Sequence, residues 1–223
     1  MPLPIPRAIL FDLDGTLADT APDLAAAMNR IQSERGLILT AYGALRPYAS
    51  AGARGMIGAA FGLKPGDDGY DALCVTFLDN YAAALAVKSC LFDGVPALLE
   101  DLQQHRLAWG IVTNKASRFT DPLVSQIGLH EAGCVISGDT TAHPKPHPAP
   151  LLEAARRLGL QPNDCWYVGD DLRDILAGRA AGMPTVAAAW GYCGHAEPTS
   201  WEADALVNTP AELFGLIQKS LAQ

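Results

Sequence analysis

From residue 91 onward, short apolar runs alternate with helical patterns, and this alternation constrains the fold more than any other feature of the chain. Strand-like runs stand at Leu107–Thr113, Cys134–Ser137, Cys165–Val168, Pro184–Ala188 and Ala205–Val207. Helical patterns lie at about Val95–His105, Arg118–Ile127, Pro148–Leu158, Leu172–Ala181 and Pro210–Leu221. Strands that take turns with helices in this way build a parallel sheet covered by helices. One more strand, residues 7–12 with the apolar run Ala8-Ile9-Leu10-Phe11, stands far upstream of the rest. Between them, from about residue 20 to 88, no strand-like alternation occurs. The sequence therefore predicts an α/β chain. Residues 1–18 and 89–223 form a doubly wound, Rossmann-like parallel sheet core, and residues 19–88 form a small helical domain inserted after the first strand.

Within the insert, Thr20-Ala21-Pro22-Asp23 reads as a helix start, with Thr20 as N-cap, Pro22 in the first turn and Asp23 at capping-box spacing. Leu24, Met28 and Ile31 recur at helical spacing, and Gly36 suits a stop. Two short helices are predicted at about residues 40–48 and 53–61, then a loop at 62–69 and a long helix from Tyr70 to about Val87. The chain crosses between the two parts near Ala18-Asp19 and Lys88–Gly94, where hinges are expected.

Composition narrows the function. The 223 residues carry 16 basic and 24 acidic side chains, a formal charge of −8 without a basic cluster. Nucleic acid is thus not an expected partner, and any phosphate site must be built locally. Five cysteines, an odd number without a CxxC pair, argue against a disulfide framework or zinc knuckle and for reduced thiols in the cytoplasm. No run of about 20 apolar residues suggests a membrane span, and the proline-rich start is too short in its apolar run for a signal peptide. A monomer or a homodimer is expected.

Ligands of open parallel sheets bind beyond the carboxyl ends of the strands, and here those ends are polar. The first strand runs into Asp12-Leu13-Asp14-Gly15-Thr16. A calcium loop is excluded, because it needs acids at positions 1, 3 and 5 with glycine at 6, and Gly15 falls at 4. The second candidate strand end is Thr113-Asn114, able to donate hydrogen bonds to an oxyanion. Lys145 lies between Pro144 and Pro146, in an extended segment suited to a phosphate clamp. The same prolines exclude a helical metal pair of His143 and His147. The fourth is Gly169-Asp170-Asp171-Leu172-Arg173-Asp174, where one helical turn brings Asp170 and Asp174 to the same face. So many acids repel one another unless a cation sits among them. Hard oxygen ligands select magnesium, and the combination predicts magnesium-assisted phosphoryl transfer.

The order Asp-x-Asp-Gly-Thr, strand-terminal Thr-Asn, Lys-Pro and Gly-Asp-Asp-x-x-Asp resembles the haloacid dehalogenase superfamily over nearly the whole chain. The insert is similar to the small helical cap of phosphoglycolate-phosphatase-like members. Segments 50–55, 91–94 and 168–179 also resemble the branch that includes N-acetylmuramic acid 6-phosphate phosphatases. The resemblance implies that Asp12 is a nucleophile forming an aspartyl-phosphate, and that Asp14 is the general acid and then base. It implies Mg2+ on Asp12 and Asp170 and on the backbone carbonyl of Asp14, with Asp171 and Asp174 supporting the metal's waters or neighbouring side chains. Thr113, Asn114 and Lys145 would bind phosphate, with Lys115 a substitute for Lys145. An acid at position 14 disfavours a dehalogenase, whose reaction has no alcohol to protonate. Arg54, between Gly52 and Gly55, is the candidate for a second anionic group such as a carboxylate. The expected function is Mg-dependent hydrolysis of a small phosphorylated metabolite, with 2-phosphoglycolate and N-acetylmuramic acid 6-phosphate as candidates. The competing classes are a sugar phosphomutase on the same fold and a non-catalytic binding protein.

Overall fold

A computed structural model describes residues 3–194 and 197–222, so Met1 and Pro2 of the proline-rich start lie outside the described residues. The chain opens with β1 (Ala8–Phe11), buried at every position, and reaches β2 (Ala18–Asp19) through the acidic turn. Four helices follow: α1 (Ala21–Glu34), α2 (Tyr42–Leu45), α3 (Gly52–Phe61) and α4 (Tyr70–Ala83). After β3 (Cys90–Leu91) the expected alternation sets in. It runs α5 (Val95–Gln104), β4 (Ala108–Val112), α6 (Ser117–Gln126), β5 (Val135–Ile136), α7 (Ala149–Leu158), β6 (Cys165–Gly169), α8 (Leu172–Ala181), β7 (Thr185–Ala188), β8 (Ala205–Val207) and α9 (Pro210–Leu221).

The six longer-range strands form one parallel sheet in the order β5-β4-β1-β6-β7-β8. The pleat sorts its side chains. Ile9 and Phe11 face a cluster with Leu98 and Leu102 of α5 and Leu213 and Ile217 of α9. Ala8 and Leu10 face the other side, with Leu151 and Ala154 of α7 and Ala177 of α8. Both faces are covered, which is why the strands read as continuous apolar runs. Each large side chain so buried contributes roughly 1.5–3 kcal/mol.

The order puts β1 between β4 and β6, and the register fixes what meets there. Phe11 lies opposite both Ile111 and Val168. The residues just beyond, Asp12, Val112-Thr113 and Gly169-Asp170, therefore leave the sheet side by side. Strands β4 and β6, which flank β1 in the sheet, converge with it at one address, the reversal point where open α/β sheets bind ligands.

The helical block joins this sheet through a ribbon absent from the sequence prediction. β2 and β3 pair antiparallel, Ala18 with Leu91 and Asp19 with Cys90. The expected capping box at the start of α1 is also not made. Thr20 directs its hydroxyl to Asp14, and its backbone N–H donates to Tyr192 Oη at 2.7 Å. Asp23 accepts from the backbone N–H groups of Lys88 and Ser89 and from the Ser89 hydroxyl at 2.7–3.0 Å. Both side chains thus leave their own helix, Thr20 for the acidic turn and Asp23 for the returning chain. A tertiary partner has displaced the local one, and Asp23 holds the returning strand to the departing one.

The short helix expected at 40–48 ends early, at Leu45, and continues as a 3₁₀ segment over Arg46–Ala51. Pro47 has no N–H to carry an α-helix further. α1 packs against α3 and α4, and their apolar side chains, among them Met28, Met56 and Phe77, merge with the cluster on the α5/α9 side of the sheet.

Candidate active site

At the carboxyl ends of β1, β4 and β6 lies a cavity of about 440 Å3. Asp12, Asp14, Thr113, Asn114, Lys145, Asp171 and Asp174 all line it, so the structure brings together the residues that the sequence scattered over four segments. Asp170 stands behind them, fully buried. Arg54 does not join them. It is exposed and borders a second cavity of about 490 Å3 with Tyr48 and Lys64.

Lys145 is the hub. Its ammonium lies 2.7 Å from Asp174 Oδ1, 2.7 Å from Tyr167 Oη, 2.9 Å from the Val112 carbonyl and 2.9 Å from Asp12 Oδ1. Only about 2% of the side chain is exposed, so almost none of its charge is screened by water. Asn114 serves this lysine. Its Oδ1 accepts from Lys145 N–H and its Nδ2 donates to Lys145 O, both at 2.9 Å. Through these two contacts Asn114 positions the lysine loop.

The Asp12 contact with Lys145 is an ion pair without hydrogen-bond alignment. Asp12 Oδ1 is buried and accepts no hydrogen bond. Burial pushes the Asp12 carboxyl up to about 7, opposed by Lys145 and reinforced by Asp174. Asp170 is raised well above the usual carboxylate range, first by burial and then by Asp12 and Asp174. Its partners are all neutral donors: Thr16 Oγ1 at 3.0 Å, Tyr192 N at 2.9 Å and Ser50 Oγ at 3.3 Å. Two glycines let the chain close on this acid. A Cβ on Gly15, at φ +90°, would fall 2.2 Å from Asp170 Oδ2, and one on Gly191 would fall 2.3 Å from Asp170 Cβ. No larger residue fits at either place.

Carboxylate oxygens of Asp12, Asp170 and Asp174 lie within 4.8 Å of one another. Among the described residues one lysine stands against three acids, Asp170 meets no cation, and one Asp12 oxygen lacks a hydrogen bond. The donors are all hard oxygens, the set that suits a divalent cation. Asp14 contributes no carboxylate to this group. The third carboxylate is Asp174, whose Oδ1 accepts from Lys145 and Tyr167 and whose Oδ2 accepts from Asp171 N–H at 3.1 Å.

Asp14 points elsewhere. Its Oδ1 receives the Thr20 hydroxyl and pairs with Lys115 Nζ at 2.9 Å. Lys115 in turn donates to Tyr81 Oη at 3.0 Å, with its ammonium 4.7 Å from the centre of that ring. Burial alone would lower Lys115, but Asp14 and Tyr81 outweigh it and hold the group raised. Lys115 is therefore the partner of Asp14 and not a substitute for Lys145. Tyr81 belongs to α4, so the inserted helices reach directly into the acid's surroundings. Asp171 is likewise committed. It caps α8 and pairs with Arg173 at 2.7 Å, and Arg173 Nη2 donates to the Ser50 carbonyl at 2.9 Å. Thr113 lies 2% exposed at the cavity floor, its hydroxyl accepting from Lys115 N–H at 3.1 Å.

Comparison with known proteins decides the family. A model described as haloacid dehalogenase-like hydrolase matches residues 9–188. The chain belongs to that family. As a member of the haloacid dehalogenase-like hydrolases it is 50% identical over 211 residues to a phosphoglycolate phosphatase of Xanthomonas campestris, covering 94% of this chain and 95% of that one. It is 44% identical over 218 residues to an N-acetylmuramic acid 6-phosphate phosphatase of Pseudomonas putida, covering 96% and 97%. Among solved structures, a predicted phosphoglycolate phosphatase from Haemophilus somnus superposes with a TM-score of 0.83 at 26% identity, over 95% of this haloacid dehalogenase-like hydrolase and 97% of that chain.

Sequence reasoning missed Thr20, Tyr81, Arg118 and Arg173 as part of the site. Thr20 read as a helix cap, and Tyr81 carried no signal beyond its place in the long helix predicted from Tyr70. Their polar ends became visible only when the insert met the sheet. Among the described residues no helix is long and apolar enough to cross a membrane.

Proposed function

We propose that the chain is a Mg2+-dependent phosphatase that hydrolyses a small phosphomonoester through an aspartyl-phosphate on Asp12. The observation that carries this is Asp12 Oδ1: a buried carboxylate oxygen without a hydrogen bond, lining the cavity beside a buried lysine. Beside it stand the Asp170 and Asp174 carboxylates, within 4.8 Å, a set that suits a divalent cation and with it a phosphoryl group. The relatives' names, phosphoglycolate phosphatase and N-acetylmuramic acid 6-phosphate phosphatase, support the same class and supply two candidate substrates.

In the first step Asp12 attacks phosphorus, the P–O bond to the alcohol breaks, and Asp14 gives the leaving oxygen its proton. In the second, Asp14 takes a proton from water, the water oxygen attacks phosphorus, and inorganic phosphate leaves with Asp12 restored. Splitting one slow displacement into two is the gain of covalent catalysis. Asp12 and Asp170 would hold the metal, with Asp174 beside them. Bound there, Mg2+ would neutralise phosphoryl charge and fix the phosphoryl group for in-line attack. Lys145 keeps Asp12 oriented and offsets its repulsion of an anionic phosphate, and Thr113 offers a hydroxyl to a phosphoryl oxygen. Thr20 and Lys115 hold Asp14 until substrate enters.

Residues 19–88 act as a cap over a core made of 1–18 and 89–223. The β2–β3 ribbon, the Asp23 tie and the Tyr192 hydroxyl between Thr20, Ala21 and Asp19 support hinges at these crossings. Five free cysteines fit a cytoplasmic enzyme. The test is phosphate release from 2-phosphoglycolate and N-acetylmuramic acid 6-phosphate with and without Mg2+. Turnover that persists in excess chelator would refute the metal dependence, and failure on every phosphoester would refute the class.

A further inference from the structure

The cavity above the acids is larger and more apolar than its reacting end needs. Its apolar lining includes Phe77, Leu78 and Tyr81 of α4 and Phe119 of α6. At about 440 Å3 it falls within the roughly 300–1,000 Å3 of pockets that enclose ligands of drug size. A two-carbon phosphoester seated at Asp12 would leave most of that volume unfilled.

The charges of the lining are the second observation. Lys145 is matched by Asp12 and Asp174, Lys115 by Asp14, and Arg173 by Asp171. Arg118 is different. It lies in the first turn of α6, five residues beyond Thr113, and among the described residues it pairs with no carboxylate. Its guanidinium carbon sits 4.5 Å from the centre of the Phe119 ring, which steadies the plane by cation–π contact. A stacked arginine of this kind keeps its N–H edge for planar, bidentate recognition of a carboxylate. Arg54, the residue that the sequence singled out for this task, borders a different cavity.

We infer that Arg118 determines specificity by binding a carboxylate of the substrate, and that the substrate is a phosphorylated sugar acid whose ring covers the Phe77–Leu78–Tyr81–Phe119 lining. This rests on the phosphatase reading above. Phosphate sits at the Asp12 end, the ring along the apolar lining, and the carboxylate at the start of α6.

N-acetylmuramic acid 6-phosphate and N-acetylglucosamine 6-phosphate make a matched pair of probes, because they differ only in the lactyl group that carries the carboxylate. The wild-type enzyme is expected to prefer the first in kcat/KM. Arg118→Gln is expected to cost the carboxylated member about ten- to hundredfold more than its partner, chiefly in KM, the scale of a charged hydrogen-bonded contact. Arg118→Lys, which keeps the charge but not the fork, is expected to recover part of the loss. Equal effects on both probes, or no effect on either, would overturn the assignment. A wild-type enzyme that turns over p-nitrophenyl phosphate or 2-phosphoglycolate but not the sugar acid would overturn the substrate class and leave the phosphatase reading standing. No turnover on any of the four would overturn that reading, and this inference with it.

Discussion

Replacing Lys145 by methionine removes the cation that holds two buried acids together. Four contacts at 2.7–2.9 Å are lost at once, to Asp12, Asp174, the Tyr167 hydroxyl and the Val112 carbonyl. Methionine matches the stem in length, so the packing penalty is small. Deleting one partner of a buried ion pair costs about 3–5 kcal/mol, because the remaining charge stays buried without compensation. For a chain of this size each kcal/mol moves Tm by roughly 2–4 °C, so the fall should be about 6–20 °C. The penalty must also depend on pH. The folded Asp12 carboxyl, at about 7, already lies above its unfolded value of 3.8. The folded state therefore binds the extra proton, and stability is lost as pH rises through the folded value. Lys145 lowers Asp12, so its removal moves the folded value higher still. The two proteins should differ least near pH 5.5, where Asp12 is protonated in both, and the gap should open above pH 7. Thermal unfolding followed by circular dichroism from pH 5.5 to 8.5, in chelator, measures this directly. Equal Tm values for the two proteins, or a gap that narrows as pH rises, would refute the claim that Lys145 compensates the acids.

Two further outcomes follow from the same geometry. Divalent-metal affinity should rise from pH 5.5 to 8, up to about tenfold per pH unit for each proton displaced, since Asp12 is raised to about 7 and Asp170 is raised as well. Calorimetric titration with Mg2+ at several pH values checks this, and a flat profile would contradict it. Asp23→Ala should lower Tm by about 4–12 °C, because it leaves the N–H groups of Lys88 and Ser89 without their acceptor at a cost of about 2–3 kcal/mol. Activity should fall with it if the ribbon sets cap position, and a variant with unaltered Tm and rate would argue against that tie.

Much of this architecture was legible in the sequence where local chemistry decides. The bounds of α8 are those expected, because Asp171 and Asp174 form a real capping box and Gly182 closes the helix in the left-handed conformation. α9 starts as expected behind Thr209, whose hydroxyl caps it. The strand-end acids were legible because an apolar run that stops at a carboxylate has few other meanings. What stayed hidden depends on contacts across the fold. The two-residue strands β2 and β3 are too short to leave a periodic signal. Thr20 and Asp23 carry a capping signature but are claimed by Asp14 and by the Lys88–Ser89 backbone. Asn114 and Lys115 sit beside Thr113 as further donors, yet one clamps the Lys145 loop and the other pairs with Asp14. The glycines around Arg54 drew attention to it and not to Arg118, and only the packing of α3 and α6 shows which of the two lines the cavity.

The central claim is that the phosphoryl group passes through Asp12. Acid-quenching the enzyme during turnover and locating phosphate by peptide mass spectrometry tests it most directly. Phosphate is expected on the peptide containing Asp12 and should be released by hydroxylamine as an acyl phosphate. Asp12→Asn should show neither the modification nor turnover while retaining the wild-type circular dichroism spectrum. Phosphate release by Asp12→Asn at a wild-type rate would contradict the account.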